Sequence, residues 1–161
     1  MKLYHGSNTM FERVDLSKSR NGRDFGRGFY TTTIREQAGE WARALFTRYG
    51  GDGPELYVFE FDFAGSDDAG LRIKEFDGLN LEWLDMVRDN RIRGGLQHSF
   101  DIVRGPVAND NTMPTVALYV DGTLRADAAL VQLAYFKAND QISFHTKRAI
   151  DCLRLVERCE L

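Results

Sequence analysis

The pattern of apolar and polar residues alternates between short period-two segments and longer segments with helical spacing. Residues 55–63 (ELYVFEFDF) alternate strictly, which predicts a strand. Similar short segments predict six more strands, at residues 2–6, 27–31, 71–76, 99–105, 141–145 and 155–161. A short loop joins the predicted strands 55–63 and 71–76, and this favours an antiparallel pair.

Apolar residues at helical spacing fill several intervals between these strands. Ala38, Trp41, Ala42 and Leu45 form the apolar face of a helix predicted over residues 34–49, with Trp41 in the core. Further helices are predicted at residues 79–90, 115–120, 126–139 and 146–153. The order of elements predicts an α+β fold with mixed, mainly antiparallel sheets, in a single domain over residues 1–161.

Composition and charge limit the classes of partner that we expect for this chain. A net charge of −3 over 161 residues gives no general attraction to nucleic acids or acidic membranes. No apolar run approaches the roughly 20 residues that a membrane span needs, and the N-terminus carries no apolar signal segment. Cys152 and Cys159 lack the spacing of a metal site. We therefore expect a cytoplasmic protein with no metal and no membrane partner.

A glycine-rich stretch, residues 24–33 (DFGRGFYTTT), is the most distinctive segment of the chain. Gly26 and Gly28 allow a positive φ or a close approach of another group. Phe29 and Tyr30 point to opposite faces if this segment is extended, so that one ring is buried and the other faces a cleft beside exposed backbone amides. Such a cleft suits a flat ring attached to a phosphate chain.

Four basic residues lie just before or within the glycine-rich stretch: Lys18, Arg20, Arg23 and Arg27. Arginine pairs well with phosphate oxygens, so these side chains are candidates for contact with a pyrophosphate or with a negatively charged target. The alternative is an ordinary solvated surface loop.

Three positions carry a family resemblance. His5 lies on the first predicted strand, Tyr30 follows the glycines, and Gln141 begins a late strand. With the blocks LYHGS, DFGRGFYTT, FDIVRGPVAND and QISFHT, they resemble a bacterial subfamily, long catalogued as a domain of unknown function, of the ADP-ribosyltransferase superfamily of the diphtheria-toxin and PARP type. The resemblance covers nearly the whole chain. The superfamily pattern has a glutamate where this chain has Gln141.

The resemblance implies a split pair of sheets with flanking helices and NAD in the cleft between them. It implies an NAD-dependent mono-ADP-ribosyltransferase that modifies a protein or an RNA or DNA acceptor. Such an enzyme would be the toxin of a bacterial toxin–antitoxin or phage-defence pair, with an inhibitor protein as partner. The residues implied in NAD binding are His5, Gly6, Ser7, Arg20, Gly28, Phe29, Tyr30 and Gln141.

Gln141 is neutral and cannot act as a base, which leaves three options. The acceptor supplies its own nucleophile; another carboxylate does the base work, with Asp110 the first candidate; or the protein binds NAD or ADP-ribose without turnover. Asp110 lies in a polar loop after a predicted strand, where residues 109–111 would otherwise cap the next helix. An NAD glycohydrolase and a purely structural domain are further alternatives.

Overall fold

The computed structural model describes residues 1–108, 111–136 and 139–161. Within these residues the strands are β1 (Lys2–Ser7), β2 (Phe29–Thr31), β3 (Glu55–Glu60), β4 (Ile73–Glu75), β5 (Ile102–Pro106), β6 (Asp140–Phe144) and β7 (Arg154–Glu160). The helices are α1 (Arg35–Tyr49), α2 (Phe63–Asp68), α3 (Leu81–Arg93), α4 (Met113–Val120), α5 (Ala126–Leu133) and α6 (Lys147–Ile150), with a 3₁₀ helix at Leu16–Lys18. All the predicted strands are present, with shifted ends.

The strands form two sheets, which confirms the α+β class. One sheet has the order β1-β3-β7 and is antiparallel throughout; the other has the order β2-β6-β5-β4. In the second sheet β4 runs parallel to β5, and the remaining pairs are antiparallel. The predicted antiparallel pair of β3 and β4 is wrong. The chain forms α2 after β3 instead of a tight turn, and β4 joins the other sheet.

The two sheets meet where β1 passes β2. The backbone amide of Tyr4 donates to the carbonyl of Thr32 at 2.8 Å, and the amide of Thr32 donates to the carbonyl of Tyr4 at 2.9 Å. His5 follows Tyr4 directly, and Tyr30 lies two residues before Thr32. The fold therefore brings two of the three resemblance positions to the junction of the sheets.

Two apolar clusters hold these layers together. The first contains residues of both sheets and fills the space between them: Leu3, Phe29, Tyr57, Phe59, Ile102, Ile142 and Phe144 are members. The second joins the four-stranded sheet to α3, α4 and α5 through Val103, Trp83, Leu84, Val87, Val116, Ala129 and Leu133. The four-stranded sheet, which carries Tyr30 and Gln141, is thus covered on both faces.

The predicted core position of Trp41 is wrong, because its side chain is 42% exposed. The buried stripe of α1 consists of the small residues Ala38, Gly39 and Ala42. These allow the helix backbone to lie directly on β1, where a Cβ at Gly6 would be 2.0 Å from the Ala38 carbonyl oxygen. A helix that packs this closely has no room beneath it for an indole ring.

Two further boundaries differ from the prediction. The helix expected over residues 126–139 ends at Leu133. The helix expected over residues 146–153 is limited to Lys147–Ile150. Among the helices that the structure describes, none combines the length and apolar character needed to cross a lipid bilayer.

Candidate functional site

His5 projects from β1 into an aromatic environment. Its ring centroid is 4.3 Å from that of Phe29, and the rings of Phe11 and Tyr57 lie nearby. Nδ1 is 2.7 Å from the backbone carbonyl oxygen of Tyr30, so Nδ1 donates and Nε2 is the acceptor nitrogen of the neutral ring. Burial outweighs this bond and lowers the pKa of His5 to about 4, which keeps the imidazole neutral at pH 7.

Tyr30 holds the glycine-rich stretch with its hydroxyl group. The hydroxyl donates to the Gly26 carbonyl at 2.7 Å and accepts from the Phe25 amide at 3.1 Å. Burial raises the pKa of Tyr30 above its ordinary value, so the phenol stays protonated. The guanidinium of Arg23 lies over the ring, 4.7 Å from its centroid. The face of Tyr30 therefore already carries a planar cation.

Three consecutive carbonyl groups, those of residues 25–27, are each bound by a side chain. They accept from His98 Nε2 at 2.8 Å, from the Tyr30 hydroxyl at 2.7 Å and from His145 Nδ1 at 2.7 Å. Because a carbonyl oxygen can only accept, His98 Nε2 and His145 Nδ1 must each carry a hydrogen. Burial lowers the pKa of His145 to about 4 and also lowers the pKa of His98. Two neutral imidazoles thus fix the loop at pH 7.

The buried His145 makes stability sensitive to acid. Its pKa is about 4 in the folded protein against 6.5 for an unperturbed imidazole, so the unfolded chain binds more protons between these values. We expect this group to remove about 2 kcal/mol of the unfolding free energy between pH 7 and pH 4.5. The measurement is urea unfolding at both pH values.

The matched variant for this measurement is His145→Asn, whose amide can still donate to the Arg27 carbonyl. Its stability should fall less between pH 7 and pH 4.5 than that of the parent, by the same amount of about 2 kcal/mol. An unchanged pH dependence in the variant would show that the acid sensitivity comes from other groups.

The structure corrects the expectation of exposed backbone amides in the glycine-rich stretch. The amides of residues 25–28 donate in turn to the Tyr30 hydroxyl, the Arg23 carbonyl, the Gly95 carbonyl and the Ser19 hydroxyl. Gly26 does have a positive φ of 83°. Gly28 serves close packing instead, since a Cβ there would lie 2.6 Å from His145 Nδ1. In this structure the amides of the loop are used to hold the loop itself.

Gln141 lies at the start of β6 and is 6% exposed. Its Nε2 donates to Asp24 Oδ2 and to the Pro106 carbonyl, both at 3.0 Å. Asp24 is equally buried; Oδ2 also accepts from the Ala108 amide at 3.0 Å, and Oδ1 pairs with the Arg91 guanidinium. A buried carboxylate therefore directly contacts the position where the resemblance expects one.

Sequence reasoning gave Asp24 no role, although it opens the glycine-rich stretch. Its signal was weak: one acidic residue among several basic ones. Its contact with Gln141 spans 117 positions of sequence. The contact also explains the glutamine. An amide can donate to Asp24, whereas a glutamate carboxylate would face it with a like charge.

The other residues implied in NAD binding occupy varied positions. Phe29 is the buried ring of the predicted pair, packed beside His5. Gly6 lies against α1, and the Ser7 hydroxyl donates to the Thr9 carbonyl at 2.9 Å. Arg20 is exposed, with its guanidinium 5.3 Å from the Tyr49 ring centroid. Asp110, the candidate base, lies outside the described residues.

An open cleft of about 500 Å³ lies beside the start of β6. Its walls include Arg104, Gly105 and Pro106 of β5, residues 76–79, the end of α5, and Asp140. Asp140 adjoins Gln141 in the chain, whereas His5 and Tyr30 are not among the lining residues. The carboxylate of Asp140 accepts from the Thr33 amide and hydroxyl. Residues 1–108, 111–136 and 139–161 contain no cluster of side chains suited to hold a metal ion.

A family model described as "Protein of unknown function (DUF3990)" matches residues 1–155. Comparison with curated proteins and with solved structures finds no match.

Proposed function

We propose that this chain, which belongs to the DUF3990 family of proteins of unknown function, is an NAD-dependent mono-ADP-ribosyltransferase with NAD bound where its two sheets meet. One observation carries the proposal: the Tyr30 ring holds a planar cation on its face, and the backbone carbonyl of the same residue binds the neutral imidazole of His5. The nicotinamide ring of NAD is also a planar cation and would take the place of the Arg23 guanidinium.

The chemistry requires a group that binds the ribose beside the leaving nicotinamide. When the bond between them breaks, its electron pair goes to the nicotinamide nitrogen and positive charge develops on the ribose. His5 presents Nε2 as an acceptor for a ribose hydroxyl, because Nδ1 is committed to the Tyr30 carbonyl. The nicotinamide becomes neutral as it leaves, so its attraction to the Tyr30 ring weakens and release is favoured.

Asp24 supplies the negative charge that the glutamine itself lacks. Its carboxylate accepts from Gln141 Nε2, and this bond polarises the amide so that the carbonyl oxygen becomes a better acceptor. That oxygen would bind a ribose hydroxyl, as the glutamate does in the proteins that the chain resembles. The acceptor nucleophile forms the new bond to the ribose carbon and releases its proton to solvent or to a base. As the resemblance implies, the enzyme would be a toxin restrained by an inhibitor protein.

The test is nicotinamide release from NAD by the purified protein, with and without cell lysate. We expect release that requires lysate, since the acceptor is there. His5→Ala and Tyr30→Leu should lower it by about 100-fold or more, the loss expected when one group that stabilises developing charge is removed. The control is Tyr135→Leu, which removes an aromatic side chain that is 85% exposed and distant in the chain. Circular dichroism would verify that each variant is folded.

The other outcomes of this assay are equally informative. Release without lysate, lost in the same variants, would identify an NAD glycohydrolase. Absence of release, together with failure to bind NAD at millimolar concentration, would overturn the proposal. Unchanged release in the folded His5→Ala variant would remove His5 from the mechanism.

A second candidate is an NAD or ADP-ribose-binding module without turnover. The observation that favours it is the double engagement of Gln141 Nε2 by Asp24 and Pro106, which is also what a purely structural glutamine would show. Isothermal titration with NAD and with ADP-ribose separates the two candidates. A module would bind both ligands and leave NAD intact in the presence of lysate.

A further inference from the structure

Exposed aromatic rings and arginines share one surface of the molecule. We define the stacking face as Arg20, Arg23, Trp41, Arg48 and Tyr49. Trp41 is 42% exposed and Tyr49 is 58% exposed, although both are large aromatic side chains. The Arg23 guanidinium lies 5.5 Å from the Trp41 ring centroid, and those of Arg20 and Arg48 lie 5.3 Å and 5.9 Å from the Tyr49 centroid.

Within the part of the chain that the structure describes, the arginines of the stacking face form no ion pair with an acidic side chain. Arg20, Arg23 and Arg48 take part in none of the ion pairs formed by the described residues, whereas Arg88, Arg91 and Arg148 each have an aspartate partner. No carboxylate of the described residues therefore pairs directly with these three guanidinium groups. Exposed rings combined with unpaired guanidinium groups are the chemistry that binds single-stranded nucleic acid: bases stack on rings and phosphates pair with arginine.

The dimensions of the stacking face suit a short single strand. Trp41 and Tyr49 are eight residues apart on α1, which corresponds to about 12 Å along the helix axis. This distance spans about three to four stacked nucleotides at 3.4 Å each. Glu40 and Asp52 are close to Trp41 and Tyr49 in the sequence, and the net charge of the chain is −3, so we expect no extended positive surface for a long duplex.

We propose that the stacking face binds single-stranded nucleic acid, with bases on Trp41 and Tyr49 and phosphates on the arginines. The face is continuous with the candidate site, because Arg23 contacts both Trp41 and Tyr30. A strand bound here would place a nucleotide next to the nicotinamide position. Its role as the ADP-ribose acceptor rests on the proposed function; the binding itself does not.

Tryptophan fluorescence offers a direct test in the absence of NAD. Trp83 is fully buried, so quenching by added nucleic acid reports on Trp41. We expect a short oligouridylate or oligothymidylate to quench the emission, and the affinity to fall with added salt. Anisotropy of a labelled oligonucleotide should show at least about fivefold weaker binding for Tyr49→Ala, the lower limit for loss of one stacked base.

Matched controls separate this face from general charge effects. Arg20→Ala and Arg48→Ala should each weaken binding and reduce its salt dependence. Arg125→Ala removes the same charge from a side chain that is 90% exposed elsewhere, and Tyr135→Ala removes an exposed ring; both should leave binding unchanged.

Several results would overturn the proposal. One is the absence of quenching at about 100 µM oligonucleotide, the weak limit of non-specific binding. Another is a loss of oligonucleotide affinity in the control variants equal to the loss in the variants of the stacking face. Quenching by vesicles of phosphatidylcholine and phosphatidylserine, without quenching by oligonucleotides, would identify a membrane surface instead. ADP-ribose transfer to a lysate protein by a chain that binds no oligonucleotide would reject this inference and keep the proposed function. Oligonucleotide binding without nicotinamide release would keep this inference and reject the proposed function.

Discussion

Gln141→Glu is expected to lower the unfolding free energy by about 3–5 kcal/mol, the usual cost of an uncompensated buried charge. Gln141 Nε2 donates to Asp24 Oδ2 at 3.0 Å, and both side chains are 6% exposed. A carboxylate at residue 141 would replace this hydrogen bond with repulsion between two acids. It would also remove one of the two side-chain donors to the Pro106 carbonyl, leaving only Trp83 Nε1 at 3.0 Å among the described residues. Urea unfolding at pH 7 measures the loss.

The double variant Asp24→Asn/Gln141→Glu tests the cause. It exchanges the amide and the carboxylate, so the asparagine can donate to the glutamate. We expect a coupling energy of at least about 2 kcal/mol in its favour, within the range for residues in direct contact. The loss in Gln141→Glu relative to the parent should shrink as the pH falls, because the repulsion raises the pKa of the new carboxyl group and protonation then relieves it.

Gln132→Glu is the matched control for this pair. Gln132 is exposed, and its Oε1 only accepts, from the Thr115 hydroxyl at 3.0 Å, so a carboxylate preserves the contact. Its stability should stay within about 0.5 kcal/mol of the parent. A Gln141→Glu protein as stable as this control would show that Asp24 and residue 141 do not interact as described.

Gly6→Ala is expected to cost about 3 kcal/mol or more, the upper range for an overpacked site, or to prevent folding. A Cβ at Gly6 would lie 2.0 Å from the Ala38 carbonyl oxygen and 2.9 Å from the Ala42 amide nitrogen. Both atoms belong to the backbone of α1, which cannot move aside like a side chain. The helix would have to separate from β1, which also carries His5.

Gly78→Ala provides the comparison. No heavy atom lies within 4 Å of the Cβ that alanine would add at Gly78, and its φ is not in the positive region. This variant should unfold within about 0.5 kcal/mol of the parent in the same urea series. Equal stability of the two alanine variants would mean that β1 and α1 are not in the close contact described.

The local pattern of residues predicted the strands and most of the helices, because the type of such an element depends largely on residues that are neighbours in the sequence. The alternation over residues 55–63 marks β3, although the strand ends at Glu60. The buried carboxylate of Asp101, by contrast, binds the Arg72 amide and Arg148, which lie 29 and 47 positions away in the chain. The partner of a strand is not a local property. The sheet to which β4 belongs is decided by β5, which lies beyond α3.

In the candidate site, too, contacts between residues distant in the sequence could not be predicted. A resemblance brought attention to His5, Tyr30 and Gln141, but not to the groups that orient them. The amides of the glycine-rich stretch are satisfied by Ser19, Gly95 and the Tyr30 hydroxyl, and no spacing rule connects these residues. Side-chain hydrogen bonds over such distances are specified by the packed tertiary structure, so they are visible only once the sheets are assembled.

The position of β6 in its sheet has a consequence for synthesis on the ribosome. β6 is an interior strand, and its pairing with β2 joins positions 111 residues apart, as in the bond from the Thr31 hydroxyl to the Ile142 carbonyl. At 5–20 residues per second, β2 waits on the order of ten seconds for this partner. His5 and Tyr30 emerge long before the strand that brings Gln141 and Asp24 together. Any activity that depends on all four groups can therefore begin only when translation has passed β6.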